Sequence, residues 1–125
     1  MTISFTLNLR TESLLNLREH FRKTAQRKKV HRETAFYATR EALGSMKALA
    51  GKRFHVVMTR IAPRAFDDDN LAGSFKHIRD GIAQALDVND GDKSRVTWRP
   101  EQEKGGKGVY AVRVEIEISD AMATV

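Results

Sequence analysis

The feature that most constrains the fold of this chain is a strict alternation of residue types near its C-terminal end. The apolar members of the pattern occupy every second position: Tyr110, Val112, Val114, Ile116 and Ile118. The residues between them, from 113 to 119, are charged or hydroxylated. Because successive side chains of a strand point to opposite faces, the pattern predicts a strand with one buried face. A sheet built from such strands has to bury that face under other elements.

Spacing also predicts the other strands. Residues 2–9 alternate in the same way, and the β-branched and apolar residues of 53–61 indicate a central strand that Pro63 ends. A further strand is predicted over 94–102, with a hairpin at 104–108 joining it to the last strand.

Apolar residues at spacings of three and four predict three helices. The first begins near Leu14 and is separated by a break near 27–32 from the second, over 33–50. Gly51 is expected to end the second helix. The third follows the sequence AFDDDNL and runs to about Leu86.

The resulting order, β-α-α-β-α-β-β, predicts an α+β fold in which a small mixed β-sheet carries helices on one face. Residues 1–125 are expected to form a single domain, since no linker or repeat divides them. The chain has no cysteine and no apolar run near the ~18 residues of a membrane span. Its N-terminus lacks the pattern of a secretory signal. We therefore expect a cytoplasmic protein with no membrane partner.

Charge is divided unevenly along the chain. Residues 1–64 contain 14 Lys and Arg against 4 acids, a net charge of +10, whereas residues 65–125 contain 8 against 12, a net charge of −4. A basic half favours a polyanionic partner, because cationic side chains displace counterions from phosphates. We predict nucleic-acid contact for the basic residues between 18 and 32, although such a run also suits a solvated helix face. These residues are Arg18, Arg22, Lys23, Arg27, Lys28, Lys29 and Arg32.

The acidic half contains three adjacent aspartates, Asp67, Asp68 and Asp69, followed by Asn70. Adjacent carboxylates repel one another unless they are solvated, cap a helix or bind a cation. Asp69 or Asn70 is a good helix N-cap, but one cap does not account for three acids. Period-two alternation off the preceding strand would place Asp67 and Asp69 on one side and Asp68 on the other.

Helical spacing extends this cluster. Asp69, Gly73, Lys76 and Asp80 follow one another at intervals of four, three and four, so a single helix would present them as one stripe. Lys76 and Asp80 could form only a surface ion pair. Alternatively the stripe is one wall of an active site, where Lys76 would stabilise negative charge in a transition state.

A second acidic group, containing Asp87, Asn89, Asp90 and Asp92, follows that helix. If the chain turns back along the sheet there, Asp90 could approach the first cluster. Oxygen ligands without His or Cys suit a hard cation such as Mg²⁺ or Mn²⁺, which on a phosphodiester generates hydroxide and stabilises phosphoryl charge.

The four histidines show no spacing typical of a metal site or a catalytic triad, and we expect them on the surface or facing DNA. They are His20, His31, His55 and His77.

Taken together, the pattern FDDDNL-x₄-K-x₃-D-G-I-A, the N-D-G-D loop and the K-G-G segment resemble the RusA-type Holliday junction resolvases. The resemblance covers residues 53–118 well, residues 1–10 fit the family's opening strand, and residues 11–50 match only in character. It implies a homodimeric α+β endonuclease, phage- or prophage-associated, acting in recombination and repair. Such an enzyme uses Mg²⁺ or Mn²⁺ to nick opposing strands of a four-way junction symmetrically.

Carried over by motif, Asp67 and Asp69 match the family's paired acids, and Asp90 matches the acid of the loop after the helix. These three would hold the metal. Lys76 matches the family lysine, while Asn70 and Asp80 match supporting positions, and Asp68 remains a rival to either paired acid. The chain departs from the shortest family form in having more residues between Asn70 and Lys76.

Three functions are compatible with these features. The first is a metal-dependent endodeoxyribonuclease that resolves branched DNA. The second is a non-catalytic nucleic-acid-binding protein of the same fold, in which the acids are structural. The third is a partner-binding adaptor, which would show no salt-sensitive DNA binding.

Overall fold

A computed structural model describes residues 1–12, 21–44 and 49–120. Within these ranges the chain forms four strands, β1 (Thr2–Leu7), β2 (Lys52–Ala62), β3 (Val96–Lys104) and β4 (Ala111–Asp120). It also forms three helices, α1 (Phe21–Leu43), α2 (Asp68–Ser74) and α3 (Lys76–Leu86). No helix in the described ranges combines the length and the apolar character needed to cross a membrane.

The strands form one mixed sheet in the order β1-β4-β2-β3. Strand β4 is antiparallel to both β1 and β2, whereas β3 lies parallel to β2. A parallel pair needs a long crossover connection, and α2 and α3 supply it. The expected α+β architecture with a small mixed sheet is therefore confirmed.

The core lies between one face of this sheet and the helices. Val56 and Met58 of β2 and Val114 and Ile116 of β4 are all at most 1% exposed, as the alternation predicts. Helix α3 adds a buried stripe of its own, including the fully buried Ile82. On the opposite face the intervening residues of β3 and β4 are mainly charged.

Helix α1 is continuous across residues 27–32, so the predicted break is wrong. This segment contains no glycine or proline, and the buried residues His31, Ala35 and Thr39 recur at intervals of four through it. That stripe packs α1 against α3 and β1. The helix ends earlier than expected, because Gly44, at φ +58°, donates its N–H to the carbonyls of Arg40 and Glu41. The predicted helical residue Leu14 lies outside the described ranges.

The segment 104–108 is not the hairpin that the sequence predicts. Strands β3 and β4 flank β2 on opposite sides, so this connection passes over the end of β2. The Gly105 N–H donates to the Ala62 carbonyl at 2.9 Å, which fixes the crossing. Because β3 is an edge strand, it also tolerates Pro100, which lacks a backbone donor.

His31 is buried in the contact between α1 and α3 and does not face solvent or DNA, contrary to the expectation for the histidines. Burial, with smaller contributions from His77 and Arg27, lowers its pKa from 6.5 to about 4. As the pH falls, His31 of the unfolded chain therefore takes up a proton near pH 6.5, whereas His31 of the folded chain does so only near pH 4. The contribution of His31 to the free energy of unfolding is complete above pH 6.5 and is lost as the pH falls towards 4.

We expect the free energy of unfolding to fall by about 2 kcal/mol from this residue alone between about pH 7.5 and about pH 5. The His31→Gln variant should lose correspondingly less over that interval. Urea unfolding of both proteins at the two pH values measures the difference. Equal pH dependence in the two proteins would contradict the assignment.

Candidate active site

The three adjacent aspartates lie at the start of α2, beyond the end of β2. Asp67 is the N-cap: its Oδ1 accepts hydrogen bonds from the backbone N–H of Asn70 at 2.9 Å and from the Asn70 side-chain amide at 2.8 Å. Asp68 and Asp69 belong to the first helical turn, where acids complement the helix dipole. All three side chains are exposed.

The backbone at this position differs from the extended form expected. Strand β2 ends at Ala62, and the chain is already helical at Asp68. Period-two alternation therefore does not decide which of the three carboxylates face together. The cap is Asp67, and not Asp69 or Asn70 as the sequence suggested.

The segment before the aspartates is tied to strand β3 by a reciprocal pair of hydrogen bonds. The Phe66 N–H donates to Gln102 Oε1 at 2.9 Å, and Gln102 Nε2 donates to the Phe66 carbonyl at 2.8 Å. The guanidinium of Arg60 lies over the Phe66 ring, with its carbon 3.5 Å from the ring centroid. The residue next to Asp67 is thus held by two strands.

We expect Gln102→Ala to lower the free energy of unfolding by about 1–3 kcal/mol, because it leaves both backbone groups of Phe66 without partners. Gln84, exposed on α3, provides a matched control, and Gln84→Ala should change stability by less than about 0.5 kcal/mol. Denaturant unfolding compares the two. Equal effects would show that the Phe66–Gln102 pair contributes nothing to stability.

The predicted stripe from Asp69 to Asp80 is divided between two helices. Phe75, which is fully buried, separates α2 from α3 and donates its N–H to the Ala72 carbonyl, three residues back. Asp69 is therefore on α2, while Lys76 is the exposed first residue of α3. The expectation of one continuous helix is wrong here: the Ser74 hydroxyl donates to the Leu71 carbonyl at 2.7 Å, and the Phe75 N–H bonds three residues back instead of four.

Asp90 lies in the loop that follows α3, where Trp98 and Arg79 contact it. Its backbone carbonyl accepts a hydrogen bond from Trp98 Nε1 at 2.8 Å, and its Oδ2 lies 4.0 Å from a guanidinium nitrogen of Arg79. Arg79 in turn lies over the Trp98 ring, 5.0 Å from its centroid. Asp80 and Asp90 line a common cleft of about 250 Å³. The structure thus brings Asp90 close to Asp80.

The carboxylate oxygens of the aspartates are ligands of the kind that a hard cation such as Mg²⁺ prefers. Mg²⁺ is typically held by one or two carboxylates together with water and substrate phosphate, and Asp67 and Asp69 could supply that number. Within the described part of the chain, however, no three His or acidic side chains lie close enough together to hold one ion. A site here would consequently be completed by oxygen ligands from water or the substrate.

The basic run occupies the N-terminal half of α1. Lys23, Lys28 and Lys29 are exposed, as is Arg22, whereas Arg27 and Arg32 are half-buried. From 22 to 30 every residue except Arg27 is exposed, so this half of α1 extends along the surface without a buried face. Arg18 lies outside the described residues.

One set of residues near the aspartates was missed by the sequence reasoning. Arg60, Arg64 and Lys104 line a cleft at the end of β2 and β3. Arg60 could have been found, because it occupies the same strand phase as the buried Phe54, Val56 and Met58. A charge at an apolar phase is a signal of a special environment.

No model of a known protein family matches this chain, and no curated protein matches it either.

Proposed function

We propose that this chain is a divalent-metal-dependent endonuclease of branched DNA, similar in activity to the RusA-type resolvases that its motif resembles. The observation that carries the proposal is that exposed carboxylates begin α2 a few residues after the end of β2, where cationic side chains line a cleft. The aspartates of α2 follow directly on the segment that contains Arg60 and Arg64. Phosphodiester hydrolysis needs both signs of charge, since the metal requires carboxylates and the substrate requires cations.

In this proposal Asp67 and Asp69 hold the metal, and Oδ1 of Asp67 keeps its capping role. When bound, the cation supplies a hydroxide nucleophile and stabilises the phosphoryl oxygens. Lys76, exposed at the start of α3, adds positive charge beside the reacting phosphate. The resemblance to the resolvases assigns Asp90 as the third carboxylate ligand. To bind the metal, Asp90 would first have to leave its ion pair with Arg79.

The partners follow from charge and symmetry. The basic half of α1 would track the phosphates of a four-way junction, and a C2 homodimer would place two sites on its two opposing strands. The protein would then work in the bacterial cytoplasm, in recombination or repair, and be encoded by a phage or prophage.

Sedimentation of the purified protein should give about twice the chain mass of 14.1 kDa, because a C2 homodimer is expected. A strict monomer that still cuts both strands in a coordinated way would contradict the dimer.

A non-catalytic nucleic-acid-binding protein of the same fold is the second candidate. It is favoured by the capping role of Asp67 and by the lack of a three-ligand cluster among the described side chains. In that case the acids would only stabilise α2.

The two candidates are separated by Asp67. Asp67→Asn keeps an oxygen that can accept the Asn70 hydrogen bonds but removes the charge, whereas Asp67→Ala removes both. If the acid serves catalysis, Asp67→Asn should retain stability and lose Mg²⁺-dependent nicking of a synthetic junction. If it serves only as a cap, Asp67→Ala alone should be impaired, losing about 1 kcal/mol of stability. Wild-type protein that binds the junction without nicking it would establish the second candidate.

A further inference from the structure

Arg60 is a buried cation without an acidic partner in the described structure. Only 5% of this residue is exposed. Its Nε donates to the Thr11 hydroxyl at 3.1 Å, and its Nη1 donates to the Arg64 carbonyl at 2.6 Å. Within the described ranges, no carboxylate oxygen lies within 4.0 Å of it. Buried charges in proteins are normally paired, so this guanidinium is in an environment that favours an anion.

Two acids around Arg60, Glu12 and Glu103, are already engaged in other ion pairs. Burial lowers the pKa of Arg60, and smaller opposing contributions come from Tyr110 and Glu12, but the Glu12 carboxylate is bound to Arg10 at 3.1 Å. Glu103, which lines the same cleft, receives two hydrogen bonds from Arg113, each of 3.3 Å. Neither acid is therefore the counterion of Arg60.

The cleft beside Arg60 has a volume of about 380 Å³, and two more cations line it, Arg64 and Lys104. Both are exposed, and neither makes an ion pair with another described residue. Gln102 also lines the cleft, but both ends of its amide are bound to Phe66. The cleft therefore presents one fixed guanidinium and two long side chains that are free to adjust to a ligand.

The position of the cleft in the fold also suits a ligand. It lies where the parallel strands β2 and β3 both end, at Ala62 and Lys104. The carboxyl ends of parallel strands are a recurring location for ligand sites. Arg60 is opposite Gln102 in register, so these side chains share one face of the sheet.

We propose that this cleft is an oxyanion site for a phosphate group, with the buried Arg60 as a fixed positive charge and Arg64 and Lys104 closing on the ligand. The exposed guanidinium of Arg64 matches phosphate in geometry, and Lys104 adds a second flexible cation. The identity of this phosphate rests on the proposed function: it is a backbone phosphate of the nucleic acid, next to the phosphate at which the strand is cut. The site would hold the strand while the aspartates act on the neighbouring bond.

The test measures binding of a labelled four-way junction in chelator, over a series of salt concentrations, for Arg64→Ala and Lys104→Ala. Each change should weaken binding and reduce the slope of log K against log salt by about 1. Arg53→Ala is the matched control, because Arg53 is an exposed arginine near the opposite end of β2. An unchanged slope in both cleft variants would overturn the proposal.

A second arm identifies the source of the phosphate. The Arg60 Nε–H resonance is followed by NMR during titration with inorganic phosphate and, separately, with the junction. A saturable shift with the junction supports a nucleic-acid phosphate. A saturable shift with inorganic phosphate alone overturns that source and leaves a free-phosphate site, and no shift with either overturns the site. Both arms are independent of cleavage, so a protein that binds in this way without nicking would fail only the proposed function.

Discussion

Gly81→Ala is expected to lower the free energy of unfolding by about 3 kcal/mol or more. Gly81 is buried where α3 crosses α1, and a Cβ built there would lie 2.2 Å from the Arg32 carbonyl oxygen. It would also lie 3.1 Å from the Ala35 Cβ. Because the nearest atoms are backbone, no rotation of a side chain can relieve the clash, and the two helices would have to separate.

Gly73→Ala is the matched control for this change. A Cβ at Gly73 meets no atom within 4 Å, and Gly73 lies inside α2, where alanine is favoured over glycine. Its stability should stay the same or rise by up to about 1 kcal/mol. Thermal or urea unfolding measures both variants. If Gly81→Ala is as stable as Gly73→Ala, the close crossing of α1 and α3 is wrong.

Asp69→Asn is expected to reduce Mg²⁺-dependent cleavage of a four-way junction by at least ~100-fold, because a neutral amide is a poor Mg²⁺ ligand. Asp69 is not the cap of α2, so the fold should lose less than about 1 kcal/mol. Junction binding in chelator should be equal or tighter, since one negative charge near the phosphates is gone. Single-turnover nicking and a binding titration measure the two properties separately.

Asp68→Asn is the control for Asp69→Asn. It removes the same charge from the same helical turn, and both residues are exposed. We expect Asp68→Asn to lose less cleavage activity than Asp69→Asn. If only Asp68→Asn is inactive, the ligand assignment within the triplet is wrong. If both variants cut at the wild-type rate, the aspartates do not hold the metal.

The sequence predicted those parts of the fold that depend on local periodicity. The burial of Val114 and Ile116 follows from alternation alone, and so does the stripe of α3. Periodicity does not show which strands are neighbours, and for this reason the sequence wrongly predicts a hairpin at 104–108. The position of β4 between β1 and β2 depends on pairing between residues far apart in the chain.

The predictions of helix boundaries are wrong for a related reason. The division at Phe75 is marked by the hydrogen bond of its N–H three residues back, whereas the local sequence pattern is helical on both sides. The sequence does not reveal the continuity of α1, because residues 26–29 are all polar and interrupt the apolar spacing.

For the candidate site, the residue types indicated carboxylates and cations but not their grouping. The Asp67–Asp69 cluster was found from its sequence, whereas the pairing of Asp90 with Arg79 depends on how the loop after α3 packs on Trp98. Gln102 contacts Phe66 from β3, 36 residues further along the chain, and Arg60 contacts it from β2. Neither residue belongs to the acidic motif itself.

Whether this chain is a metal-dependent junction endonuclease is decided by incubating the wild-type protein with a plasmid that extrudes a cruciform. In Mg²⁺ we expect linear product, because paired cuts across the junction open both strands, and in chelator we expect none. Intact supercoiled plasmid in Mg²⁺, under conditions where the protein binds the cruciform, would show that the chain is not such an endonuclease.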